Sequence, residues 1–304
     1  MKYLKTVLFI ALYAAVYLLF MLVTQMLFGL TLGGAGKILV EYAQTLIASG
    51  AQNADPALTE GAAGAAAEII GEYTLHNTGI IFSISALLSL LVYIRIFAAR
   101  KLELFSAVGM ARKPSGADVR NGAFAGAASN FVISLIVLIL QSFSLFGKAF
   151  EQYGEQMDAV FGAGGLFASL LGIGVILPVV EEILFRGMIL YELGGAMPIK
   201  AAIIAQGVIF GLFHLDPIQI FYTLPLGVYF GYMAYKTGSL WPAVAAHVAM
   251  NTVSTLLSAP AMANIFSQPQ IFLFITLLSL YLFAGSLAYF IKKEPARDTL
   301  AKSG

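Results

Sequence analysis

Two adjacent glutamates, Glu181 and Glu182, lie inside the apolar run LFASLLGIGVILPVVEEILFRGMIL, and Arg186 follows the second by four residues. Two histidines, His214 and His247, come later in equally apolar surroundings, with Asn251 one helical turn beyond His247. Ionisable side chains in such places are costly and by default mark a functional site. On a helix, residues three or four apart share a face, while neighbours diverge by about 100°. Glu182 is therefore placed to pair with Arg186. Glu181 points elsewhere, on the face of Phe185, with no local cation to neutralise it. A free carboxylate in a low dielectric is a better proton acceptor than an exposed one. Glu181, His214, His247 and Asn251 together supply a base, a second group to orient water and two donors for a developing oxyanion, the parts that peptide hydrolysis requires. The blander readings are a buried Glu182–Arg186 ion pair that holds helices together and histidines that only pack. Phe210, one turn before His214, shares its face, and His76 falls in a polar loop and reads as a surface residue.

The elements that must position these groups are set by composition. With 60% hydrophobic residues, 11% charged and a mean hydropathy of +0.87, the chain has more apolar surface than a water-soluble domain can bury. The expected fold is all-α, a polytopic membrane bundle of about eight transmembrane helices. A net charge of +1 offers nothing to a nucleic acid, and the lack of cysteine removes disulfides, thiolate catalysis and Cys-ligated metal together. At about 20 residues per span, apolar segments fall near 7–30, 79–99, 122–146, 165–190, 200–215, 218–235, 240–258 and 270–291. The fifth and sixth are short and join tightly at Asp216 and Pro217. The basic N-terminus resembles a signal peptide, but its apolar stretch is too long and lacks a clear cleavage site, so it reads as a retained first span. Pro178, three residues before Glu181, removes a backbone hydrogen bond and is placed to kink its helix and open a cavity beside the carboxylates.

Eight spans put both termini on one side. Counting Arg186 toward the nearer end of its span, all but Lys37 and Lys148 of the 17 basic residues fall on that side, which the positive-inside rule makes cytoplasmic. Residues 31–78 then lie outside, with two short amphipathic helices at the interface. The chain divides into N-terminal membrane helices over 1–164, a core over 165–258, and a last span with a basic cytoplasmic tail over 259–304. The expected location is a cell membrane, multi-pass, of prokaryotic plasma-membrane type.

The strings EEILFR, FGLFH and HVAMN, in that order on successive spans, match the EExxxR, FxxxH and HxxxN signatures of the CPBP intramembrane protease family. That family includes type II CAAX prenyl proteases and bacteriocin-processing or immunity proteins, and the resemblance covers roughly residues 165–258. It implies that Glu181 activates a water with help from His214, that His247 and Asn251 stabilise the oxyanion, and that Glu182, Arg186 and Phe210 support them. The prenyl proteases of eukaryotic type carry a polar residue three after the second-motif histidine. Pro217 stands there in this chain, so a membrane-associated peptide or protein is the expected substrate rather than a prenylated tail. No cofactor is required by this reading. If a divalent metal such as zinc takes part, Glu181, His214 and His247 are its ligands, although the HExxH spacing is missing. Two other classes of function fit the composition. One is a non-catalytic adaptor or immunity protein of the same fold. The other is a transporter using Glu181 as a proton relay, which the clustering of polar residues in one half of the chain disfavours.

Overall fold

The computed structural model describes residues 2–48, 56–142, 147–162 and 165–296. Helix α1 runs Lys2–Thr31, α2 Ala35–Ala48, α3 Pro56–His76, α4 Thr78–Ala99, α5 Leu104–Ala107, α6 Gly116–Gln141 and α7 Gly147–Gly162. They are followed by α8 over Leu166–Ala196, α9 Ile199–Leu212, α10 Pro217–Thr237, α11 Trp241–Leu257, α12 Pro260–Phe266 and α13 Pro269–Lys292. Among the described residues there is no strand, and five helices, α1, α4, α6, α8 and α13, are long and apolar enough to cross a bilayer. The other three expected spans fall on α9, α10 and α11, of 14, 21 and 17 residues. The protein is a multi-pass helical membrane protein.

The solvent is visible in which side chains face out. On α1, Leu4, Val7, Leu8, Leu18, Leu19 and Leu22 are exposed, while the buried positions are Thr6, Tyr13, Tyr17, Thr24 and Gly29. A helix that turns its leucines outward and its hydroxyls inward suits lipid, where backbone polar groups are satisfied within the helix and side-chain polar groups seek protein partners. Helix α8 is the central element, carrying Val180, Ile183, Leu184, Met188 and Ile189 almost fully buried.

Helix α11 is set against α6 by backbone contact. A Cβ on Gly126 would come within 1.7 Å of the Ala246 carbonyl oxygen, and one on Gly122 within 2.2 Å of that of Pro242. The pair forms a GxxxG face, which lets two backbones touch. His247 follows Ala246 directly, so this contact fixes the depth of one of the candidate side chains.

Helix α8 is not a regular α-helix. It contains two π-helical stretches, Gly172–Ile176 and Ile183–Ile189, on either side of the glutamate pair. Such wide turns recur at functional sites. The first has a cause in the sequence: Pro178 has no N–H to give the carbonyls one turn before it. Side chains of α11 meet those carbonyls instead. Asn251 Nδ2 donates to the Ile173 oxygen at 3.1 Å, and Thr252 Oγ1 to the Gly174 oxygen at 3.3 Å. The expected loss of a hydrogen bond at Pro178 thus becomes an inter-helix clasp. The second stretch has no such cause in view.

Candidate active site

Glu182, Arg186 and His247 form the buried base of the site. Arg186 Nη1 lies 2.8 Å from Glu182 Oε1, and both side chains are fully buried. The i,i+4 pairing read from the sequence is present. Arg186 was counted there with the cytoplasmic charges; at 1% exposure inside the bundle it casts no vote on topology. His247 Nδ1 also lies 2.8 Å from Glu182 Oε1. With its Nδ1–H donated to that carboxylate, the imidazole presents Nε2 to the cavity.

Phe210 joins the two histidines. Its ring meets His214 edge-on at 4.8 Å and His247 at 5.8 Å between centroids, and the Arg186 guanidinium lies 3.8 Å from its centre. The cation of the ion pair is thereby covered by an aromatic face. His214 sits just past the end of α9, with Nδ1 2.9 Å from the Phe210 carbonyl oxygen. Since a carbonyl only accepts, Nδ1 carries the hydrogen and Nε2 keeps its lone pair.

Glu181 is not without a partner, contrary to the sequence reading. Tyr17 Oη of α1 donates to Glu181 Oε1 at 2.8 Å, and His247 Nε2 stands 3.7 Å from Glu181 Oε2. Local spacing excluded a neighbour on α8 but could not see one 164 residues away. The N-terminal helices, which had been assigned by hydropathy alone, therefore reach the site. Asn130 of α6 does so too, donating to the Met250 oxygen at 3.1 Å and accepting from Ser254.

Glu181, Phe210, His214, His247 and Asn251 all line one cavity of about 1230 Å³, together with Tyr17 and Asn130. Glu182 and Arg186 do not line it and stand behind the groups that do. His76 is elsewhere, exposed and bonded to the Glu72 carbonyl. A second cavity of about 670 Å³ between α6, α9, α10 and α13 is lined mainly by apolar side chains and holds none of these residues.

The donor set does not suit a metal ion. Among the described residues no three His, Asp or Glu side chains converge as ligands would. Both histidines keep Nε2 free to ligate, with Nδ1 held by Glu182 or by the Phe210 carbonyl, so what is missing is a third converging ligand among the described residues. Three protein ligands at about 2 Å are the usual minimum for catalytic zinc.

The three motifs are thus brought together on the wall of one cavity, in the stretch of chain that known proteins match. Residues 163–253 match the family described as Type II CAAX prenyl endopeptidase Rce1-like. That match covers less than a third of the chain and falls on the three motifs. A protein of Bacillus subtilis (strain 168) named "Putative membrane peptidase YdiL" is 29% identical over 91 residues, which is 30% of this chain and 37% of that protein. The chain therefore spans little more than a third of the length of that curated relative. No solved structure matches the chain. Tyr17 and Asn130 lie outside the matched residues 163–253, which explains why motif reading missed them.

Proposed function

We propose that this protein is an intramembrane endopeptidase of CPBP type that hydrolyses a peptide bond of a membrane-associated peptide or protein without a metal. The observation that carries the reading is the gathering of Glu181, His214, His247 and Asn251 on the wall of one cavity, with Glu182 and Arg186 behind them.

Glu181 is the general base. Held by the Tyr17 hydroxyl, it takes a proton from a water whose other hydrogen is accepted by His214 Nε2, and the water oxygen attacks the scissile carbonyl carbon. The oxygen that becomes negative is met by His247 and Asn251. Protonated, His247 donates through Nε2 into the cavity while Glu182 keeps the Nδ1–H and balances the charge. The Asn251 amide has two hydrogens; one goes to the Ile173 carbonyl and the other remains for the oxyanion. Collapse of the tetrahedral species breaks the C–N bond as the proton on Glu181 passes to the leaving amine. In this account Glu181, His214, His247 and Asn251 are catalytic, and Tyr17, Glu182, Arg186 and Phe210 are positioning residues.

The test compares membrane peptides by mass spectrometry in cells making wild type or Glu181→Ala at matched levels. Products present with wild type and absent with the variant are expected, since loss of a general base costs about 10²–10⁴-fold. Identical profiles, with the variant still rescuing a deletion phenotype, would replace the protease by an adaptor. Purified enzyme should keep its turnover in excess chelator; a loss restored by zinc would overturn the metal-free mechanism.

A further inference from the structure

The notable property of the catalytic cavity is where it opens. Its wall includes Gln141 at the end of α6, Tyr153 of α7, Leu215 in the α9–α10 turn, Leu257 at the end of α11, and Ser267 and Pro269 at the start of α13. Following the chain through the bundle, all of these are at the end opposite the two termini. No residue of 100–115, 197–198, 236–241 or 292–296, the segments at the other end, lines it.

That other end is closed by cross-links between its loops. The Trp241 indole N–H donates to the Met110 carbonyl at 2.9 Å and the Ser239 hydroxyl to the Arg112 carbonyl at 2.8 Å. The Ala296 N–H donates to the Lys236 carbonyl at 3.0 Å, and Lys236 Nζ to the Ile291 carbonyl at 3.2 Å. Two loops and the segment that follows α13 are thus laced together beneath the site.

The opening has a physical origin in helix length. Helix α9 has 14 residues, or about 21 Å at 1.5 Å per residue, against a hydrocarbon thickness of about 30 Å. With its start at the laced end, its last turn stops short of the far surface. His214, Leu215 and Asp216 then carry the chain outward along the cavity to α10, whose 21 residues, about 32 Å, span the layer, Asp216 accepting from the Gln219 N–H to start it. Irregular backbone at that depth is tolerated where it lines a water-filled recess. Leu215 fits such a place: it has a left-handed backbone, φ 62°, and is 82% exposed on the cavity wall. The short α9 also accounts for His214 meeting the Glu181 level although it ends its helix.

The laced end carries Arg112, Lys113, Lys236, Lys292 and Lys293, so it is the cytoplasmic one by charge. We infer that the catalytic cavity opens to the extracytoplasmic face, and that the polypeptide cut here is a membrane-anchored one whose scissile bond is presented from that side. This rests on the endopeptidase reading for the cutting and on geometry and charge alone for the side. A lipid-modified tail displayed in the cytoplasm would lie on the wrong side of the site.

The chain has no native cysteine, so single-cysteine variants report the side directly. Intact cells carrying Leu215→Cys, Ser267→Cys or Lys113→Cys are treated with a membrane-impermeant maleimide before and after permeabilisation. Leu215→Cys and Ser267→Cys are expected to label in intact cells, and Lys113→Cys only after permeabilisation. The reverse pattern overturns the inference, and so does a Leu215→Cys that stays unlabelled in permeabilised cells, because the turn then faces no water. The peptides of the Glu181 comparison supply the second arm. Cuts mapping to extracytoplasmic segments support the inference, whereas cuts confined to cytoplasmic segments overturn it and leave the protease standing. Absence of any cut removes the protease, while the labelling still decides which way the cavity opens.

Discussion

Helix α8 carries two buried carboxylate clusters about two to three turns apart, and they are satisfied differently. At Glu192 the carboxylate accepts from Tyr13 Oη at 2.8 Å and pairs with Arg100, which also reaches the Tyr13 hydroxyl. The Arg100 guanidinium lies 4.0 Å from the centre of the Phe9 ring, and its side chain is still 20% exposed. No fully buried side-chain nitrogen or oxygen of this cluster lacks a hydrogen-bond partner. At Glu182 and Arg186 both side chains are sealed from solvent, and Glu182 Oε2, Arg186 Nε and Arg186 Nη2 have no partner among the described residues. The Glu192 cluster is built as a fastening between α1, α4 and α8. In the Glu182 cluster the single oxygen Oε1 takes both Arg186 and His247 at 2.8 Å, so the buried pair is tied to a side chain of the cavity wall, which a packing device has no reason to do.

The contrast is most sharply broken by removing one member of each pair. Arg186→Met leaves Glu182 charged and buried without a cation, which costs about 3–5 kcal/mol. A large drop in thermal stability in detergent is expected. Glu182→Met with Arg186→Met should regain most of it, because well-packed apolar replacements tolerate such sites, yet cleavage should stay absent with His247 unanchored. A single variant as stable as wild type would show that the pair is not the buried keystone described here. A double variant that cuts normally would separate Glu182 from catalysis.

Tyr17→Phe sharpens the comparison by touching the carboxylate that faces the cavity. The ring and its packing stay, and one hydrogen bond to Glu181 is lost, worth about 1.5–3 kcal/mol for a charged acceptor. If that bond positions the base, kcat falls about tenfold to a hundredfold with KM nearly unchanged, and the folded protein is little affected. A change in KM alone would make Tyr17 part of the substrate wall instead. No change at all would return α1 to the role of lipid-facing frame.

How much of this was legible in the sequence follows from range. The Glu182–Arg186 pair is an i,i+4 contact on one helix and is legible there, as is the hydrogen bond lost at Pro178, whose missing N–H is a local fact. The Tyr17–Glu181 contact spans 164 residues, and nothing near Glu181 announces it. A weak signal did exist: hydroxyl residues Thr6, Tyr13, Tyr17 and Thr24 recur at spacings of seven and four in an otherwise aliphatic helix, which marks an inward stripe. Gly122 and Gly126 likewise spell a helix-contact face. The depth of His214 could not be read from its distance along the chain, because a 14-residue helix and two π-helical stretches shift depth without leaving a hydropathy mark. Arg186 shows the opposite error. A cation in an apolar run was assigned to the nearer surface, when its carboxylate partner four residues back was reason enough to keep it inside.

The smallest effect belongs to the fastening. Arg100→Met removes the cation from Glu192 but leaves the Tyr13 hydroxyl as its donor, and the partly exposed site lets water replace some of what is lost. A pair of this kind contributes about 1 kcal/mol, so the melting temperature should fall by only a few degrees. Cleavage should remain within about twofold of wild type, since the substitution leaves Tyr17 and the catalytic wall in place. The informative failure would be a stable Arg100→Met protein that no longer cuts. In that event the seating of α1 at Glu192 governs whether Tyr17 reaches Glu181, and the two clusters on α8 act as one device.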